Sequence, residues 1–192
     1  MFYLSVALVA VAALCALDLM LTLAVLRRLR DRPDGPDKPA EAEEGGLPVG
    51  ATVGAFTTVC TDGVEITEHD LGDDCVVAFF SAGCPPCRRR LPVFVKQVAA
   101  LPETDRRAVV AVVVSGGGGS DDSAEAAEAL EMAARLAPVA RVLREEPDGP
   151  VTTAFGVQAF PSQFAVGTGF GAAPRVTAVG RAALAAQPVG SA

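Results

Sequence analysis

Hydrophobic and polar positions divide the chain into an apolar stretch, a polar connector and a region of alternating short runs. From Leu4 to Leu26 there is a single ionisable side chain, Asp18. As a helix this run extends about 35 Å, enough to cross a bilayer. A transmembrane helix is predicted over 4–26. No basic residue precedes it and Arg27, Arg28, Arg30 and Arg32 follow, which fits an anchor better than a cleaved signal peptide. Leu14 before Cys15 argues against a lipoprotein site. Residues 27–50 read as a basic flank and flexible linker, because 31–50 carries four prolines, several glycines and mixed charges without a hydrophobic period. One folded domain is predicted over 51–180, with a short helix and frayed tail over 181–192.

Within the domain, Phe56 to Cys60 and Val64 to Ile66 flank Thr61-Asp62-Gly63, the signal of a β-hairpin. Val76 to Phe80 and Ala108 to Val114 are continuous apolar runs, the pattern of strands buried on both faces. Pro85 to Leu101 reads as a helix between them, kinked at Pro92, and such an arrangement favours a parallel crossover. The run Ser115 to Ser120 is a glycine-rich loop without the Gly-Lys-Ser/Thr ending of a phosphate-binding loop. Ala124 to Leu136 has strong helix propensity. A third strand is expected at Val139 to Leu143 and a helical turn at Pro150 to Phe155. An antiparallel pair follows at Gln163 to Val166 and Val176 to Val179, then a terminal helix at Arg181 to Gln187.

Formal charge changes the picture by exclusion. At −7 it argues against a nucleic-acid surface, despite the local arginines. Five cysteines without regular spacing make no disulfide scaffold, since only Cys84 and Cys87 are close in sequence. Those two matter most. Cys84-Pro85-Pro86-Cys87 ends an apolar run and opens a helix, where unpaired N–H groups and the positive end of the dipole stabilise a thiolate. Such positions lower a thiol pKa to roughly 3.5–7.5. Cys84 is the expected nucleophile and Cys87, one turn on, the resolving thiol.

The order of elements, the motif at 84–87, Pro92 five residues beyond it and Phe160-Pro161-Ser162 before a strand resemble the thioredoxin superfamily over roughly residues 50–180. The membrane helix, linker and hairpin are similar to membrane-anchored TlpA and ResA-type thiol-disulfide oxidoreductases. The Cys-Pro-Pro-Cys-Arg-Arg-Arg-Leu-Pro stretch also looks like MauD-type proteins. The resemblance implies a thioredoxin-like α/β fold, a central mixed sheet flanked by helices, with an N-terminal hairpin extension. It implies Pro161 as a cis-proline facing the sulfurs and the Phe160 backbone as a pairing edge for a bound polypeptide. Gly83 stands where the family usually has tryptophan, which leaves the motif open to large partners. Ala78 replaces the buried acid of thioredoxins and Arg90 the glutamate common in the ResA type, so no carboxylate is assigned as proton acceptor for Cys87.

The function expected is thiol-disulfide exchange with protein substrates, with electrons passing to or from another dithiol protein and no metal or organic cofactor. Two alternatives stay open: a peroxiredoxin-like thiol peroxidase, suggested by Ser81 three residues before Cys84, and a non-catalytic thioredoxin-like binding domain. Ser81 is otherwise expected to cap the strand-to-helix turn. Cys60 and Cys75 read as small buried hydrophobes on strands rather than zinc ligands. Arg88, Arg89 and Arg90 form either a docking patch or a solvated helix face. Localisation is read as a single-pass cell-membrane protein. The arginines after the helix point the domain to the cytoplasm, and the redox motif points it to the extracytoplasmic face, where disulfides persist; the extracytoplasmic side is the expectation.

Overall fold

The computed structural model describes Met20 and residues 45–116, 124–168 and 173–185. The predicted membrane helix apart from Met20, Cys15, Asp18, the basic flank, the connector before Gly45, the glycine run after Gly116 and the tail after Ala185 lie outside the described residues. Among those described, no helix is long and apolar enough to cross a membrane.

The chain opens on an antiparallel hairpin, β1 (Thr57–Val59) and β2 (Glu65–Thr67). Its turn closes through the Gly63 N–H on the Cys60 carbonyl, with Gly63 at φ 84°, a region where a side chain is disfavoured. A single 3₁₀ turn, Glu68–Asp70, follows; Asp70 accepts from the Thr67 amide and hydroxyl. The remaining elements are β3 (Cys75–Ser81), α1 (Pro85–Ala99), α2 (Glu103–Arg106), β4 (Val109–Val114), α3 (Ala124–Leu136), β5 (Arg141–Glu145), α4 (Pro150–Ala154), β6 (Ser162–Gly167), β7 (Arg175–Val179) and α5 (Arg181–Ala185). Five strands form one sheet in the order β5-β4-β3-β6-β7. β3, β4 and β5 run parallel; β6 and β7 are antiparallel to their neighbours.

The valine-rich runs form central strands because both faces are covered. Val77 and Phe79 of β3 join Val110 and Val112 of β4, Phe164 of β6, Val151 of α4 and Phe155 at its C-terminal end, on the hairpin side. Val76, Ala78 and Phe80 point the other way, with Val109 and Val113, onto Cys87, Leu91, Phe94 and Val98 of α1 and Ala129, Met132 and Leu136 of α3. The period of two along each strand thus sorts one apolar run into two cores. Phe79, Phe155 and Phe164 meet as three rings with centroids 5.2–5.7 Å apart, and Phe80 meets Phe94 at 5.3 Å.

Several boundaries differ from the sequence reading, three of them in ways that bear on the packing. The third parallel strand begins at Arg141, because the Val139 and Ala140 amides both bond the Leu136 carbonyl and prolong the end of α3. Helix α1 stops at Ala99, and beyond Pro102 the chain makes the short α2, which hydrophobic spacing did not indicate. Cys60 lies past β1 rather than on it.

Helix α4 matters for the site because it feeds the segment ending at Pro161. Its first turn is held by a buried carboxylate: Glu145 accepts from the Val151 and Thr152 amides and the Thr152 hydroxyl, each at 3.0 Å. Gly149 makes this possible, since a Cβ there would lie 2.6 Å from the Glu145 side chain.

Candidate functional site

At the end of β3 the chain turns through Ala82 and Gly83 into α1. Gly83 takes φ 74°, so its lack of a side chain serves the backbone of the turn as well as access to the sulfurs. Cys84 is the N-cap residue in extended geometry. Pro85 and Pro86 occupy the next two positions, where proline is tolerated because those N–H groups have no helical partner. Prolines also carry no N–H. The first turn therefore has fewer amide donors for a thiolate than a helix start ordinarily offers.

The structure brings Cys84, Cys87, Phe160 and Pro161 together. Cys87 is buried and its thiol donates to the Cys84 sulfur at 2.8 Å; both are free thiols. Cys84 is half-buried, and its thiol donates to the Phe160 carbonyl at 3.7 Å. The Phe160-Pro161 peptide is cis. The Cys87 thiol is pushed up to about 12, first by burial and then by its bond to Cys84. The Ser81 amide donates to Cys87 Sγ at 3.4 Å and acts in the opposite direction. The two sulfurs therefore differ in burial and access, one facing outward beside a carbonyl and one held beneath.

Ser81 does not cap the turn, contrary to expectation. Its hydroxyl donates to the Ala82 carbonyl at 3.1 Å, while the N-cap position, Cys84, makes no side-chain cap bond. Cys60 and Cys75 are buried free thiols raised by burial, Cys75 to about 12. Among the described residues no three His, Cys, Asp or Glu side chains assemble as a metal site.

Two polar groups near the motif escaped the sequence reading. Glu128, from α3, accepts from the Gly83 amide at 3.0 Å and from Arg88 through Nε at 2.5 Å and Nη2 at 3.0 Å. The bond with Arg88 holds its carboxyl below the usual carboxylate range. Gln163 of β6 sits opposite Ala78 in register; it is buried, and its Oε1 has no hydrogen-bond partner among the described residues. The signal for Glu128 was the spacing of Glu125, Glu128 and Glu131 along one helix, opposite three arginines in an acidic chain. Which acid meets which arginine depends on how α1 and α3 pack.

The strand order, the mixed parallel and antiparallel pairing and the helices on both faces make this a mixed α/β thioredoxin-like fold. Among solved structures, the chain is similar to a hypothetical protein of Sinorhizobium meliloti 1021, at 17% identity and TM-score 0.50 over 76% of this chain and 89% of that one. It is also similar to the thioredoxin domain of a thiol-disulfide oxidoreductase from Bacteroides vulgatus (19% identity, TM-score 0.49, 69% and 88% covered). A thiol:disulfide interchange protein of the thioredoxin family from Chlorobium tepidum TLS gives 19% identity and TM-score 0.46, with 70% and 87% covered. These likenesses are of fold. No family model and no curated protein matches the sequence.

Proposed function

We propose that this chain is a thiol-disulfide oxidoreductase acting on protein substrates through Cys84-Pro85-Pro86-Cys87. The observation that carries the reading is the 2.8 Å approach of the two sulfurs, the outer one bonded to the Phe160 carbonyl beside Pro161. The Cys84 thiolate attacks one sulfur of a substrate disulfide, forming a mixed disulfide and releasing the other sulfur as a thiolate that takes a proton from water. Cys87 then loses its proton and attacks Cys84. A Cys84–Cys87 disulfide forms, and the substrate leaves with two electrons and two protons gained. A second dithiol protein restores the enzyme by the same exchange in reverse, and an oxidant role is the whole sequence run backwards. Sulfur carries the electrons throughout, so no metal or organic cofactor enters. Gly83 and the Phe160 backbone form the face open to the substrate chain.

Full chain purified in detergent, with dithiothreitol as electron source, is expected to reduce insulin disulfides catalytically. Turnover no faster than dithiothreitol alone removes the reading.

The apolar run 4–26 supports a single-pass membrane anchor, joined by a basic flank and linker to the folded domain; the linker ends before Gly45 rather than at residue 50, because the Leu47 amide bonds the Phe155 carbonyl, the Gly50 amide bonds the Val176 carbonyl and the Gly45 carbonyl accepts from the Gln158 amide. Exchange among protein disulfides has its substrates on the extracytoplasmic face, and the domain is assigned there against the positive-inside tendency of Arg27 to Arg32. Alkaline phosphatase fused after Ala192 is expected to be active. Activity of a cytoplasmic reporter alone reverses the orientation.

A further inference from the structure

The exchange just described gives Glu128 and Arg88 no part, yet both reach the turn that carries Cys84. One carboxylate oxygen, Glu128 Oε2, accepts from the Gly83 amide and from Arg88 Nη2, each at 3.0 Å, while Oε1 takes Arg88 Nε. The pair therefore ties α3 to the residue immediately before Cys84. The Glu128 side chain is only 20% exposed, so solvent screens its charge incompletely. Pro85 and Pro86 withhold two amide donors from the helix start, which makes a nearby cation count for more in holding a thiolate.

We propose that Glu128 is a positioning residue for the dithiol, fixing Arg88 at the start of α1 and neutralising its charge so that Cys84 feels little of it. This rests on the reading of Cys84 as the nucleophile. Charges in the site already sense one another: Glu128 acts to raise the Cys87 thiol, and Arg88 is raised first by Glu128 and also by Cys84. Among the described residues, Cys87 of α1 and the uncharged Phe160 carbonyl bond the Cys84 sulfur, and Glu128 of α3, itself bonded by Arg88 of α1, accepts from the backbone amide of the turn immediately before it. Arg90 of α1 is held below the usual guanidinium range first by burial and then by Arg181 of α5.

Charge control and a plain structural clamp predict different signs. Glu128→Gln keeps the size and an acceptor but removes the negative charge, and is expected to speed alkylation of Cys84 near pH 7 by about two- to fivefold. Arg88→Gln leaves the carboxylate unopposed and is expected to slow it by a similar factor. The double variant exchanges one neutral pair for another and is expected within about 1.5-fold of the parent. The measurement is the rate of iodoacetamide alkylation of the reduced full chain from about pH 6 to 8, with the Cys84 peptide followed by mass spectrometry. Shifts of the same direction in both single variants, or a change of less than about 1.5-fold in Glu128→Gln, overturn the proposal. Insulin turnover in the same preparations separates the two questions. Opposite shifts in a chain without turnover would remove the exchange reading and leave the charge control standing.

Discussion

Cys84→Ser is expected to lower insulin-disulfide reduction by about three orders of magnitude or more, while Cys87→Ser keeps the first attack and accumulates a mixed disulfide with substrate. The asymmetry follows from position. Cys84 is half-buried at the mouth of the turn, and Cys87 is buried beneath it, where among the described residues its sulfur hydrogen-bonds Cys84 and the Ser81 amide. A seryl oxygen at 84 is a far weaker nucleophile near neutral pH, and among the described residues no other thiol is placed to substitute, since Cys60 and Cys75 are buried and raised by burial. In Cys87→Ser the mixed disulfide forms and lacks its resolving partner. Trapped conjugates, visible on non-reducing gels and dispersed by dithiothreitol, are the signature. Equal loss in both variants without conjugates would remove the division of labour.

The resolving step also carries a pH signature. Burial raises the Cys87 thiol, and its bond to the Cys84 sulfur raises it further. In the mixed disulfide the Cys84 sulfur is bonded to substrate, so the contribution of its hydrogen bond changes and burial remains. Cys87 stays protonated well above neutrality, and its thiolate fraction grows with pH. In single-turnover experiments, substrate release is therefore expected to rise by up to about tenfold per pH unit between roughly pH 6 and 9.

The sequence was legible where one physical rule acts alone. Val76 to Phe80 and Ala108 to Val114 carry the pattern of strands buried on both faces and form strands over Cys75–Ser81 and Val109–Val114, and Ala124 to Leu136 is helical over the residues expected. The meeting of Cys84 with Cys87 follows from their spacing at a helix start. It was least legible where tertiary packing decides. Val139 and Ala140 are apolar and β-branched or small, yet their amides finish the turn of α3 before the chain extends. Glu128 was ambiguous because helix propensity says nothing about which arginine a glutamate will face. Glu145 had a comparable ambiguity: it closes a strand as a buried acid only because α4 begins beside it and Gly149 leaves room. Ser81 could have capped a helix, and the extended geometry of Cys84 gave that position to a cysteine instead.

Phe79→Ala is expected to destabilise the domain by about 3–5 kcal/mol, a large share of the 5–15 kcal/mol that holds a typical domain folded. Phe79 is fully buried on the central strand β3, and its ring lies 5.4 Å from Phe155 and 5.7 Å from Phe164. Truncation removes the ring's own burial and leaves a void bounded by two aromatic neighbours attached to backbones that cannot close on it. Strand β3 is paired on both sides, to β4 and β6, and Phe155 ends the short α4. The chain has no tryptophan, so urea unfolding of the full chain is best followed by far-UV circular dichroism. A midpoint lowered at unchanged slope is the expected record. A loss under about 1 kcal/mol would show that the three rings are not a packing centre. The same core joins both halves of the site. β3 delivers Cys84 from one side of Phe79, and the segment after Phe155 delivers Phe160 and Pro161 from the other. Loosening the ring trio is thus expected to reduce exchange in proportion to the unfolded fraction, with turnover per folded molecule nearly unchanged in dilute urea-free buffer.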